Sequence, residues 1–288
     1  ILKKIIYFMP KSNTYKAGRH FLQVPGPTNF PDRILRAMDR PAMDHRGPQF
    51  AELSKRILDR IKLIFKSTDP VIIWPSSGTG AMEASIVNTL SEGDKVLMFE
   101  TGHFATEWCQ AARRYKVNVD FVPGDWRHGA DPKIVEKKLL ADKKHEIKAV
   151  MVTHNETSTG IMSRVEEIRK VIDSVKHPAL FMVDTISSLG SYNYDHQKWK
   201  VDVSVGGSQK GLMLPPGLSF NVVSKKALEA SKSSKLPKSY WQWEQMLENN
   251  KNGFYPYTPA VNIMYGLNEA INMLLEEGLD NVFERHAR

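Results

Sequence analysis

Lys210 sits in the run Gly206-Gly207-Ser208-Gln209-Lys210-Gly211, directly after the apolar stretch 201–205. Glycine carries no side chain to bar close approach, so flanking glycines let a bulky ligand come up against the lysine amine. Lysine amines form Schiff bases with carbonyl compounds. Taken alone, a lysine in a Gly/Ser loop is an ordinary solvated lysine. Two further features lie upstream. Asp184 follows the apolar run Leu180-Phe181-Met182-Val183, which places an acid at the edge of the core. Such an acid can hold a heterocyclic nitrogen in its protonated form, or can simply cap a helix or a turn. Ser76-Ser77-Gly78-Thr79-Gly80 precedes a helical pattern that starts near Ala81. Free backbone N–H groups and the helix dipole make that position suitable for an anion such as a phosphate, with an ordinary serine or threonine cap as the plainer reading.

Other chemistries lack their motifs. The Lys210 loop matches neither G-x-x-x-x-G-K-[ST] nor G-x-G-x-x-G, and there is no H-E-x-x-H. Ser208 is followed two positions on by Lys210, where a hydrolase elbow needs glycine. The single cysteine, Cys109, excludes an internal disulfide and a multi-cysteine zinc site. It falls in a helix-like stretch and is expected to be a buried structural thiol. No metal site is expected.

The elements that must position these groups alternate. Short apolar runs at 71–74, 95–99, 117–122, 149–152, 179–183, 201–205 and 219–223 read as strands. Helix-like stretches lie between several of them, at 105–115, 132–140 and 165–175. Phe50, Leu53, Ile57, Ile61 and Ile64 recur at three- and four-residue steps, which marks an amphipathic helix. The pattern predicts an α/β fold with a mostly parallel sheet covered by helices on both faces. Ligands of such sheets bind beyond the carboxyl ends of the strands, where the polar groups above stand. The segment 225–252 is polar and lysine-rich, and reads as a helix end and a surface excursion. A long helical segment follows from 259 to 277.

The chain has 288 residues, 41% hydrophobic and 25% charged, enough for a sizeable core. Its net charge of +8 could favour an acidic partner. The lysines are scattered, however, and no basic block is interleaved with aromatics, so a nucleic-acid partner is not expected. No run approaches the ~20 apolar residues of a membrane span, and the apolar stretch 5–9 is too short for a signal-peptide core. A reducing compartment, the cytoplasm, is expected.

Order and spacing lift the individual signals: a phosphate-type loop, an acid at a strand end, and then a lysine. Together with Val24-Pro25-Gly26-Pro27-Thr28-Asn29, Ser77-Gly78-Thr79-Gly80-Ala81-Met82-Glu83-Ala84, His154-Asn155-Glu156-Thr157-Ser158-Thr159-Gly160, Val183-Asp184-Thr185-Ile186-Ser187-Ser188 and Tyr255-Pro256-Tyr257-Thr258-Pro259, they resemble the class V, fold-type-I pyridoxal 5'-phosphate (PLP) aminotransferases. Within that class the likeness is to the serine–glyoxylate and alanine–glyoxylate group. It runs from about Gly18 to the last residue.

The resemblance implies a transaminase that moves an amino group from a small amino acid, serine favoured, to glyoxylate. Lys210 would hold PLP as a Schiff base and then act as the proton-moving base, with Asp184 paired to the pyridine nitrogen. Ser77, Gly78, Thr79 and Gln209 would hold the phosphate. Thr157 would hydrogen-bond the phenolic oxygen, and Phe104 would stack on the ring or serve as an ordinary core phenylalanine. Tyr255 and Thr258 would reach the phosphate of a neighbouring subunit, which implies a homodimer with shared sites. Pro27 lines the substrate side, and Arg46, in Asp44-His45-Arg46, approaches the partner's site or is a surface arginine. Alanine and aspartate remain as alternative donors, a desulfurase or lyase as alternative reactions, and a truncated, non-catalytic PLP-binding protein as a third reading. Residues 1–17 would be a flexible N-terminal extension and 18–260 the PLP-binding large domain. Residues 261–288 would be a helix leading into a C-terminal domain that this chain lacks. In relatives that domain supplies the arginine for the substrate carboxylate, and in plants its end carries a peroxisomal signal.

Overall fold

A computed structural model describes residues 21–288; the extension expected at 1–17 lies outside the described residues. Among the described residues seven strands form one sheet in the order β1-β7-β6-β5-β4-β2-β3. They are β1 (Val71–Trp74), β2 (Lys95–Phe99), β3 (Asn118–Val122), β4 (Ile147–Thr153), β5 (Leu180–Asp184), β6 (Val203–Gly207) and β7 (Ser219–Val223). The pairs from β3 through β6 are parallel, while β7 runs antiparallel to both β6 and β1. Strand β1 therefore points the same way as β6, and the ends of β1, β2, β4, β5 and β6 open on one edge. Strands β1, β5, β6 and β7 are buried throughout, as expected for a sheet covered on both faces.

The helices are α1 (Asp32–Met38), α2 (Pro48–Phe65), α3 (Gly78–Thr89), α4 (His103–Arg114), α5 (Pro132–Ala141), α6 (Val165–Ser174), α7 (Lys225–Ser233), α8 (Trp243–Asn250), α9 (Val261–Glu277) and α10 (Leu279–Ala287). Helix α2 buries Phe50, Leu53, Ile57, Ile61 and Ile64, the stripe read from the sequence. Proline at its first turn suits the helix start, where no intrahelical acceptor is lost. Residues 261–288 form two helices, because Gly278 adopts a φ of +83° between α9 and α10. Among the described residues no helix is long and apolar enough to cross a membrane. Cys109 is fully buried, and burial pushes its thiol pKa up.

The segment 225–252 refines the sequence expectation. Most of it is exposed or half-buried, but it is anchored rather than loose: Trp243 and Met246 on α8 are fully buried, and Trp241 packs edge-on against Trp74 of β1 at 5.3 Å. Asn88 of α3 fastens this segment, accepting from the Trp243 N–H at 3.1 Å and donating to the Trp241 carbonyl at 2.6 Å. Polar residues dominate the composition, but the two large side chains stand three positions apart on one helical face. Trp243→Ala should lower the free energy of unfolding by about 3–5 kcal/mol, the usual cost of emptying a buried aromatic site. A urea denaturation midpoint indistinguishable from the wild type would show that the segment is peripheral.

Candidate active site

Lys210 is positioned by a loop that the sequence pins on both sides. Ser208 is fully buried; its N–H donates to the Leu218 carbonyl at 2.9 Å, and its hydroxyl donates to the Pro215 carbonyl at 2.7 Å. The Gln209 carbonyl accepts from Thr28 N–H at 3.0 Å, which ties the loop to the Pro25-Gly26-Pro27 turn. The half-buried Lys210 Nζ donates to the Pro25 carbonyl. Gly26 is needed here, since its φ is +140° and a Cβ would stand 2.6 Å from Nζ. Burial lowers the pKa of the amine, and the charges of Asp184 and Glu156 pull it partly back up.

Asp184 ends β5 beside Val205 of β6, so the sheet register sets it near the loop that carries Lys210. It is 3% exposed, and its Oδ1 accepts from Ile186 N–H at 2.9 Å. Burial pushes its pKa up to about 7; the Glu156 charge adds to this, while the Ile186 N–H and the Lys210 cation oppose it.

The start of α3 closes in from β1. Gly78 and Thr79 occupy the first helical turn, where N–H groups have no intrahelical acceptor, and the Ser77 side chain makes no capping bond. A Cβ on Gly78 would lie 2.3 Å from Ile186 Cδ1, so glycine lets the helix end settle on the turn that follows Asp184. Gly207 approaches the same isoleucine, and Gln209 Oε1 is buried nearby without a hydrogen-bond partner. Anion donors at a helix start, a buried carboxylate and a half-buried amine suit a phosphate-bearing nitrogen heterocycle with an aldehyde. The uncapped N–H groups at the start of α3, and the Gln209 amide, whose nitrogen can donate to an anion, are the residues present that fit such a group.

On the other side a cavity of about 540 Å³ is lined by Lys210, Thr157, Ser187, Asn155, Glu156 and the turn at Val24–Gly26, with Arg285 and His286 of α10 at its rim. The Thr157 and Ser187 hydroxyls are hydrogen-bonded to each other. Phe104 is half-buried at the start of α4 and connects to this loop through Glu156. Pro27 stands in the turn over Lys210, between the lining residues Gly26 and Thr28.

Three expected residues lie elsewhere in the protomer. The Tyr255 side chain is buried in its own core against Phe50, with ring centroids 6.0 Å apart, while Thr258 is exposed. Arg46 is exposed too, and its Nη1 donates to the Tyr255 carbonyl at 3.3 Å. None of the three lines the Lys210 cavity of this chain. Sequence reasoning missed roles for Glu156, Ile186 and Ser187, although all three fall inside the motif segments. Glu156 gave the clearest signal, as an acid one residue before Thr157.

A lysine and a buried carboxylate at the ends of adjacent parallel strands, facing a helix N-terminus, define a fold-type-I PLP enzyme. The chain belongs to the class V aminotransferase family, whose pattern it matches over residues 20–288, and it is a PLP-dependent aminotransferase. It is 47% identical over 280 residues to a serine–glyoxylate aminotransferase of Methylorubrum extorquens, covering 95% of this chain and 70% of that protein. It is 44% identical over 266 residues to an L-aspartate–glyoxylate aminotransferase of Paracoccus denitrificans, covering 92% and 67%. The solved alanine–glyoxylate aminotransferase of a Nostoc species superposes with a TM-score of 0.87 at 28% identity, covering 95% of this chain and 72% of that one.

Proposed function

We propose that this enzyme transfers the amino group of a small amino acid, serine by preference, to glyoxylate, giving glycine and an oxo acid. The observation that carries the reading is the Asp184–Lys210 pair, a fully buried acid beside a partly desolvated amine at one sheet edge. Bound PLP supplies the electron sink for the substrate carbon that loses its proton.

The protein's own groups then have defined tasks. Lys210 Nζ would anchor the cofactor, and the same amine would serve as the base that moves the substrate's proton. Burial leaves it less basic than a surface lysine, which suits a group that must gain and lose a proton near neutral pH. Asp184 keeps one carboxylate oxygen for the ring N–H while Oδ1 stays on Ile186. Ser77, Gly78, Thr79 and Gln209 hold the phosphate, Thr157 meets the phenolic oxygen, and Phe104 covers the ring. Pro27 shapes the substrate side.

Arg46, Tyr255 and Thr258 belong to a homodimer in which each protomer completes its partner's site. Arg46 and Thr258 are exposed, and Arg46 donates to the Tyr255 carbonyl, which supports that reading for the exposed pair. A reducing compartment suits the free, buried Cys109.

Likeness to the Methylorubrum enzyme favours serine as donor, and the Paracoccus enzyme keeps aspartate in play. With glyoxylate fixed, serine should give a kcat/KM at least about tenfold above alanine or aspartate, equivalent to about 1.4 kcal/mol of transition-state discrimination. A higher value for aspartate would reassign the donor while leaving the reaction type intact.

A further inference from the structure

Glu156 is fully buried, yet among the described residues it forms no ion pair. Four donors surround its carboxylate instead. Oε1 accepts from Phe104 N–H at 3.2 Å, Ser158 N–H at 3.1 Å and the Ser158 hydroxyl at 2.8 Å. Oε2 accepts from Ala105 N–H at 3.1 Å. Phe104 and Ala105 stand in the first turn of α4, where the N–H groups lack helical acceptors and a negative charge is favoured. Ser158 and Glu156 flank Thr157 in the loop after β4. One carboxylate thus joins two segments about fifty residues apart in sequence, and each carries a residue expected at the cofactor. Gly102 makes room for it, since a Cβ there would lie 2.5 Å from Glu156 Cγ.

We infer that Glu156 is a positioning residue: its carboxylate fastens the start of α4 to the 155–160 loop and so fixes Phe104 relative to Thr157 around the cofactor ring. This rests on the reading of those two residues as ring contacts. The bond pattern requires the carboxylate form. All four partners donate, so an amide in its place would turn an N–H₂ group toward at least one N–H donor, as a carboxylic acid would turn its proton. An uncompensated buried donor of this kind disfavours the native arrangement strongly. The charge also acts on the site directly, because it is felt by both Asp184 and Lys210.

The test compares the wild type with Glu156→Gln and Gly102→Ala, as holoenzyme and after cofactor removal. In both variants, amide hydrogen exchange across 102–108 should quicken at least tenfold, and the dissociation constant for PLP, titrated by absorbance, should rise at least tenfold. Circular dichroism in the cofactor's visible band should weaken, because the ring is held less rigidly. Glu156→Gln alone should also move the pH midpoint of borohydride-trapped PLP attachment downward, because removing the negative charge makes the Lys210 amine easier to deprotonate. Gly102→Ala keeps the charge and should leave that midpoint in place. Wild-type exchange, affinity and dichroism in Glu156→Gln would overturn the assignment. If Glu156→Gln fails to fold, Gly102→Ala with wild-type PLP affinity and dichroism would overturn it equally. Failure of the wild type itself to bind PLP would instead strike the proposed function and leave the exchange result to be judged separately.

Discussion

Lys210→Ala is expected to abolish transamination, lowering kcat at least about 10⁴-fold, the upper end of what one acid–base group contributes. Two roles end together in that substitution. The amine that attaches the cofactor disappears, and with it, among the described residues, the one lysine lining the cavity that could shuttle a proton. No other change of similar size is expected. The loop backbone is held by Ser208, Leu218 and Thr28 rather than by the lysine side chain, so the fold should persist and PLP should still bind non-covalently. The check is borohydride reduction followed by peptide mapping. Wild-type protein should carry the added mass at position 210, whereas the variant should carry none and should show no turnover with any of the three donors. Retained turnover, or reductive labelling of another lysine in the wild type, would remove the central assignment.

The sheet was legible because its strands are apolar runs bounded by polar loops. The bounds expected for β1, β2 and β7 are those observed. Strand β6 ends two residues later than its apolar run, since Gly206 and Gly207 continue the pairing with β7 without any hydrophobic signal. Helix α3 begins at Gly78 rather than Ala81 for a related reason. Its glycines suggest a loop, but they are required by the close approach of Ile186 and Trp241. Lys210, Asp184 and the start of α3 could be brought together from sequence because each follows a recognisable strand. Glu156 could not, because two of its four partners are backbone N–H groups on a distant helix and a buried acid resembles an exposed one in sequence. Tyr255 and Arg46 are a different case. Their positions were read from motif resemblance, and the folded protomer keeps the Tyr255 ring in its own core and leaves Arg46 exposed, so nothing in the local pattern ties them to Lys210.

Asp184→Asn should separate stability from catalysis. The folded apoprotein holds a carboxyl whose pKa is raised to about 7 by burial, against an ordinary value of 3.8. Between those two pH values the folded state binds more protons than the unfolded one, so stability falls as pH rises through the window. The full loss, reached above pH 7, is at most about 4 kcal/mol. Asparagine is uncharged and nearly the same shape, and its oxygen can still accept from the Ile186 N–H. The apo variant should therefore match the apo wild type near pH 4 and exceed it by up to about 4 kcal/mol at pH 8. His154 pulls the other way. Burial lowers its pKa to about 4, so its contribution is lost as pH falls from its ordinary value of 6.5. That residue is present in both proteins, and its effect cancels in the difference. With PLP bound the order should reverse, because only the wild type offers a carboxylate to the ring N–H, and kcat of the variant should fall about 10²–10³-fold, the size of losing one preorganised electrostatic partner. Urea denaturation of both apoproteins at pH 4 and pH 8, alongside turnover of the holoenzymes, measures each part. A stability difference that did not grow with pH would mean that Asp184 is already ionised and satisfied in the apoprotein, and the strain assigned to this carboxyl would have to lie elsewhere.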